Sequence, residues 1–191
     1  MTSPAPIVTI FGGSGFVGRY IAQRMAKAGW RVRVAVRQPN DAIFVKTYGT
    51  VGQVEPILAN VRNAESVGAA VNGADAVVNC VGILAPSGKQ TFDAVQDEGA
   101  GHVATAAATA GIAKFVHLSA IGADAESDSA YAKTKALGEA RVQAAVPSAV
   151  ILRPSIVFGP EDEFFNRFGA MARLSPVVPV IGPGTKFQPV Y

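Results

Sequence analysis

Residues 7–18 read Ile7-Val8-Thr9-Ile10-Phe11-Gly12-Gly13-Ser14-Gly15-Phe16-Val17-Gly18, a β-branched and apolar run that stops abruptly at a cluster of glycines. The run from Ile7 to Phe11 reads as a buried strand. Val17, Ile21 and Met25 then recur at helical spacing, so a helix opens at Phe16. The glycines between the two have separate duties. Gly12 or Gly13 turns the chain tightly, Gly15 has no Cβ to obstruct a pyrophosphate, and Gly18 lets the helix lie close on the strand. The helix N-terminus then offers free N–H groups to an anion. Gly13-x-Gly15-x-x-Gly18 fits the dinucleotide-binding fingerprint, and it sits between a strand and a helix, as that fingerprint requires. Gly12, Gly13, Ser14, Gly15, Phe16, Val17 and Gly18 are therefore the first candidate cofactor-binding residues.

The rest of the composition agrees with one α/β domain. The chain has 191 residues, enough for a sizeable core and too few for a second full domain. Its formal net charge of +3 is mild and scattered, which argues against a nucleic-acid partner. The mean hydropathy is high, +0.27, yet no run approaches the roughly 18 unbroken apolar residues of a membrane span. Parallel strands buried on both faces account for it. The opening residues MTSPAPIV show neither a basic region followed by an apolar stretch nor an Arg-rich amphipathic pattern, so no targeting signal is read there. A single cysteine, Cys80, excludes an internal disulfide and a multi-cysteine metal site, and a reducing, cytoplasmic compartment is the default.

Beyond the first helix, which ends at Gly29, residues 31–37 alternate as a second strand ending in Arg37. In this fold the residue at that position selects the coenzyme. An acidic side chain holds the ribose of NAD, whereas an arginine accommodates the 2′-phosphate of NADP. Arg37 thus favours NADP(H) over NAD(H), the other reading being a solvated strand-end cation. Arg19 is either a second phosphate contact or an exposed helix residue. Residues 41–48 read as a short helical or irregular insert, and 54–58 as a third strand whose Pro56 places it at an edge. Asn60-Val61-Arg62 follows, either beside the adenine or in solvent, and Asn60 and Val61 join the cofactor candidates.

A helix spans 64–71, and an apolar fourth strand runs 76–82. Val81 and Gly82 at its end allow close approach of a cofactor, and Cys80 reads as a small buried hydrophobe. After a loop over 83–90, an alanine-rich helix covers about 91–110, with His102 on its surface or packing face. The fifth strand is 115–119, and His117 within it reads as structural. A sixth strand is expected at 149–152.

Ser119 ends strand five, and Tyr131-Ala-Lys133-Thr-Lys135 opens the next helix, which runs to about Val146. Tyr131 and Lys135 are four apart and share one helical face, while Lys133 lies on another. Lowering a tyrosine pKa of about 10 by ~3 units needs roughly 4 kcal/mol of phenolate stabilisation. A water-poor pocket, an ammonium group and a cationic nicotinamide ring together reach that figure.

These residues resemble the YxxxK motif of the extended or atypical short-chain dehydrogenase/reductase superfamily, whose glycine spacing Gly12-x-x-Gly15-x-x-Gly18 also matches. The resemblance implies a Rossmann-type doubly wound parallel sheet with helices on both faces. It also implies a serine that binds the substrate oxygen, a tyrosine that transfers the proton, and a lysine that binds the ribose and tunes the tyrosine: Ser119, Tyr131 and Lys135. Extended enzymes place the Ser or Thr one residue later, where this chain has Ala120, so Ser119 can equally be a strand-end hydroxyl.

The following string, RPSIVFGPEDEFFNRF over 153–168, carries the Arg-Pro and Phe-Gly-Pro elements common to extended enzymes, and Pro154 is the last cofactor candidate by that resemblance. Together with PVVPVIGPGTKFQPVY it is similar to the NAD(P)H-binding accessory subunits of respiratory complex I and their bacterial relatives. That resemblance implies a structural or regulatory nucleotide, complex I subunits as partners, and a cytoplasmic location or a peripheral one on the cytoplasmic or matrix face of the respiratory membrane. The alternative is an active NADP-dependent reductase or nucleotide-sugar epimerase/dehydratase using Tyr131 and Lys135. Domains are expected at 1–160 for the nucleotide and 161–191 for the start of a substrate lobe, truncated or missing here. From the residues themselves, Phe164, Phe165 and Phe168 read as helix core packing.

Overall fold

The computed structural model describes residues 4–174, 177, 184 and 186–191. Part of the 176–191 string lies outside these described residues. The chain divides into two compact units, Met1–Arg153 and Pro154–Tyr191.

The first unit alternates strand and helix: β1 (Ile7–Phe11), α1 (Phe16–Lys27), β2 (Arg31–Val36), β3 (Val54–Leu58), α2 (Ala64–Val71), β4 (Ala76–Asn79), α3 (Glu98–Thr109), β5 (Phe115–Leu118), α4 (Ala130–Ala145) and β6 (Val150–Leu152). The six strands form one sheet in the order β3-β2-β1-β4-β5-β6, parallel throughout. The expected doubly wound sheet is therefore what the chain builds. The order reverses between β1 and β4, and a crevice opens there beyond the carboxyl ends of the strands.

Strand alternation feeds two cores. Val8 and Ile10 of β1 pack with Ala22 and Ala26 of α1 and Val32 and Val34 of β2 on one face. Phe11 packs with Val67, Val71, Val103, Phe115 and Val142 on the other. Each fully buried side chain of this size contributes about 1.5–3 kcal/mol, so both faces must be covered and register slippage is penalised. Thr9 shares that second face, and its buried hydroxyl donates to Ala70 O at 2.9 Å. Pro56 does lie on an edge strand, opposite Val34.

Several boundaries differ from the sequence expectation. β2 ends at Val36, leaving Arg37 just outside the ladder. β4 ends at Asn79 rather than Gly82, because the Asn79 side chain accepts the Val81 N–H at 3.1 Å and turns the chain away from the sheet. Residues Pro39–Tyr48 form a 3-10 helix. The alanine-rich helix opens with a π-helical turn, Asp93–Asp97, before α3. That turn faces α4 so closely that a Cβ on Gly138 would stand 2.1 Å from Gln96 O.

The second unit contains α5 (Phe164–Leu174). Asp162 caps it, accepting from the Phe165 N–H at 2.6 Å. None of the residues of α5 is buried, so the expected core packing of Phe164, Phe165 and Phe168 is corrected. Their rings instead meet one another edge to face, with centroids 5.2 Å apart in the Phe164–Phe165 and Phe164–Phe168 pairs.

Candidate functional site

The glycine turn joins β1 to α1 with each glycine placed for a different reason. Gly12 adopts φ +73°, which side chains rarely tolerate, and its N–H donates to Ala35 O at 3.1 Å. Gly13 lies against Val34 and Ile10. A Cβ on Gly18 would stand 2.2 Å from Gly12 O, so no larger residue fits under the turn. Gly15 is the exposed N-cap of α1, and no side chain caps that helix. The first-turn N–H groups of Phe16 and Val17 thus have no side-chain acceptor, unlike the start of α2, where Asn63 accepts from Ser66. Arg19 reaches back from the second turn and donates to Ser14 O at 3.1 Å, adding positive charge beside the turn.

The crevice above the turn has a cavity volume of about 350 Å³. Of the candidate residues, Gly12, Ser14, Gly15, Arg37, Val61, Val81 and Gly82 line it. Gly13 and Gly18 are buried in the packing of the turn. Asn60 holds the neighbouring loop instead, its Oδ1 accepting the Arg62 N–H at 3.1 Å. Pro154 belongs to the second unit.

One end of the crevice adjoins side chains from β4, β5 and α4. Lys135 is 5 % exposed, and its Nζ donates to Leu118 O at 3.1 Å. A Cβ on Gly82 would stand 3.3 Å from that Nζ, so Gly82 is where the crevice and the lysine meet. Burial lowers the Lys135 pKa to about 8, against the opposing pull of Cys80 and Glu139. Tyr131, one turn earlier, packs edge to face on Phe92 at 5.9 Å, and burial raises its pKa. The protein alone therefore keeps Tyr131 protonated at neutral pH. Burial also pushes the Cys80 thiol up to about 12, which leaves it an inert packing group.

Ser119 is 5 % exposed and is not among the crevice-lining residues. It belongs to a buried polar cluster between β5 and α4. Asn79 Oδ1 is taken by the Val81 N–H, so its amide nitrogen donates to His117 Nδ1 at 3.3 Å. The His117 proton consequently sits on Nε2, which, like Ser119 Oγ, has no partner of ordinary hydrogen-bond geometry among the described residues. Burial, with the Lys135 charge adding to it, lowers the His117 pKa to about 4. Glu139 completes the cluster. Burial opposes its ionisation, but hydrogen bonding to Arg153, with the nearby Ser119 hydroxyl adding to it, outweighs that and holds its carboxyl below the usual range. Arg153 Nε donates to both Glu139 oxygens, at 2.9 and 3.1 Å. Tyr131, Lys135 and Glu139 recur every fourth residue along α4, a stripe that the sequence shows and that marks Glu139 as the missed member.

A second missed group lies at the Arg37 end of the crevice. With its amide oxygen toward the guanidinium groups, Gln90 accepts from Arg62 Nε at 2.8 Å, Arg62 Nη2 at 3.0 Å and Arg37 Nη1 at 3.3 Å. Nothing local in sequence signals this contact, since the three residues come from three separate loops.

The crevice, its uncapped helix terminus and the Arg37 side chain that lines it suit a dinucleotide diphosphate, and the comparisons agree. The NAD(P)H-binding family matches residues 12–157. The mitochondrial NADH dehydrogenase [ubiquinone] 1 alpha subcomplex subunit 9 of Arabidopsis thaliana is 35% identical over 97% of this chain and 47% of its own length. The ceramide reductase of Caulobacter vibrioides is 33% identical over 100% of this chain and 58% of its own. The chain spans about half the length of the curated relatives it matches. Among solved structures, a putative epimerase from Burkholderia cenocepacia superposes with a TM-score of 0.74 at 22% identity, over 93% of this chain and 64% of that one, a likeness of fold.

Proposed function

The chain belongs to the NAD(P)H-binding family, and from that premise we propose that it holds NADP(H) as an accessory component of a respiratory NADH dehydrogenase, the nucleotide serving structure or regulation. The observation that carries the NADP(H) preference is Arg37, which lines the crevice immediately after β2. In this reading the N–H groups of the glycine turn bind the diphosphate, Arg37 binds the 2′-phosphate, and Val81 and Gly82 back the nicotinamide. The accessory role is supported by the NADH dehydrogenase subunits among the relatives. It is supported also by Ala120 beside a buried Ser119, and by a Lys135 already engaged with Leu118 O. Among the described residues no helix is long and apolar enough to cross a membrane, so association with the respiratory membrane would be peripheral.

Mass spectrometry of the purified protein tests the first claim, with NADP(H) as the expected bound species. Arg37→Asp should weaken NADPH far more than NADH, and equal losses would overturn the assignment.

A second reading, an active NADP-dependent reductase, is favoured by the Tyr131 and Lys135 pair and by the reductase among the relatives. A bound nicotinamide would supply the hydride. Tyr131 would hold the proton for the substrate oxygen, and the Lys135 ammonium would stabilise the phenolate that remains. Tyr131→Phe leaving every measurable turnover unchanged removes this reading.

A further inference from the structure

Two guanidinium groups converge on a single neutral oxygen at the adenosine end of the crevice. Like charges do not gather without an acceptor between them, and neither Arg37 nor Arg62 is paired with a carboxylate among the described residues. What holds them is the Gln90 amide oxygen. Resting on the NADP(H) reading, we propose that Arg37 and Arg62 together form the seat of a ribose 2′-phosphate, and that Gln90 is an internal latch whose amide oxygen occupies this seat until a phosphate displaces it.

The local structure presents all three side chains deliberately. The Ala59 N–H donates to Val36 O at 2.8 Å, which keeps the ends of β2 and β3, and so the loops that follow them, side by side. An Asx turn fixes the Arg62 backbone, with Asn60 Oδ1 accepting its N–H at 3.1 Å. Asn60 is itself held by its N–H donating to Ser66 Oγ at 3.1 Å. On the opposite rim, Ser87 and Gln90 exchange backbone hydrogen bonds at 3.0 and 2.9 Å, closing a tight turn that aims Gln90 across the crevice. Asp41 also lines the crevice, and the two guanidinium groups outnumber its charge.

A phosphate monoester carries two charges and several acceptor oxygens, so it binds paired arginines far better than one amide oxygen does. Gln90 gives the seat a neutral default occupant. It keeps the arginines pre-oriented, at the cost of competing with the incoming phosphate. The apparent affinity is reduced by the fraction of molecules in which the latch is closed. A ligand without a 2′-phosphate does not need the seat and is insensitive to the latch.

Calorimetric titration with adenosine 2′,5′-bisphosphate and adenosine 5′-monophosphate separates these effects. Wild type should prefer the bisphosphate. Arg62→Ala should weaken the bisphosphate about tenfold, one guanidinium–phosphate contact, and leave the monophosphate within about twofold. Gln90→Ala should tighten the bisphosphate about threefold by removing the competitor, whereas Gln90→Glu should weaken it about tenfold by placing a carboxylate in the seat. If wild type prefers the bisphosphate but Arg62→Ala, or both Gln90 variants, bind it within about twofold of wild type, the latch is overturned and the NADP(H) reading stands. If wild type shows no preference for the bisphosphate, both fall.

Discussion

The ammonium group of Lys135 donates to the carbonyl oxygen of Leu118 at 3.1 Å, from the buried face of α4 to the last residue of β5. This contact ties the helix that carries Tyr131 to the strand that precedes Ser119, before any ligand is considered. It also buries a charge with one neutral acceptor, which is why the lysine pKa falls to about 8.

That burial sets a pH dependence. The unfolded chain keeps this lysine protonated up to its ordinary 10.5, whereas the folded protein releases the proton near 8. Between these values the unfolded state binds more protons, so stability rises with pH, by about 3 kcal/mol in all. Lys135→Met should remove this rise and stabilise the ligand-free protein near pH 7 by about 2 kcal/mol. Urea unfolding of both proteins from pH 7 to 9.5 checks it, and parallel curves would refute the shift.

His117 predicts a second window at lower pH. Its pKa falls from 6.5 to about 4 in the folded protein, so the unfolded state again binds more protons between those values. Stability contributed by keeping His117 neutral is therefore lost as pH drops from 6.5 towards 4, about 3 kcal/mol by the lower limit. His117→Gln should flatten the difference curve in that range, measured by denaturant midpoints at pH 7, 6, 5 and 4.

The glycine turn predicts a dissociation of folding from binding. An added Cβ at Gly18 meets backbone atoms at 2.2, 2.8 and 2.9 Å, so Gly18→Ala must displace the turn and should cost about 1–3 kcal/mol as well as nucleotide binding. At Gly15 the nearest atom is Gly12 O at 3.2 Å and φ is −70°, which alanine adopts freely. Gly15→Ala should therefore stay within about 1 kcal/mol of wild type in stability while losing most nucleotide affinity, because its methyl group occupies the diphosphate approach. Thermal unfolding and NADPH titration of the two variants distinguish the sites.

Gly138 predicts a packing effect remote from the crevice. Its missing side chain lets α4 meet the π-helical turn, and a Cβ there would stand 2.1 Å from Gln96 O. Gly138→Ala should destabilise by about 1–3 kcal/mol despite alanine's better helix propensity, and circular dichroism melts should show a lowered midpoint. An unchanged or raised midpoint would mean that the turn yields without cost.

The stripe Tyr131, Lys135, Glu139 shows how local pattern and tertiary outcome part company. Spacing put the three on one face of α4. It did not show that Glu139 turns to Arg153, that Lys135 is spent on a backbone carbonyl, or that Ser119 is buried beside them. Those outcomes depend on how whole elements pack, and Gly138 is what lets α4 approach the π-helical turn. The aromatic residues of α5 make the same point, since their helical spacing was legible and their lack of a buried face was not.

By itself the sequence determined the parallel α/β alternation, the glycine turn between β1 and α1, the edge position of the strand bearing Pro56, and Arg37 at the end of β2. Each is written in residues close along the chain, through side-chain period, missing Cβ atoms or a missing N–H. Only the tertiary structure decided that Arg37, Arg62 and Gln90 share one oxygen, and that Asn79 fixes the tautomer of a buried His117. These relationships join residues 25 or more positions apart, whose meeting follows from strand order and loop closure. Hydrophobic periodicity encodes which face of each element is buried, whereas the polar partners found there depend on the packing of whole elements against one another.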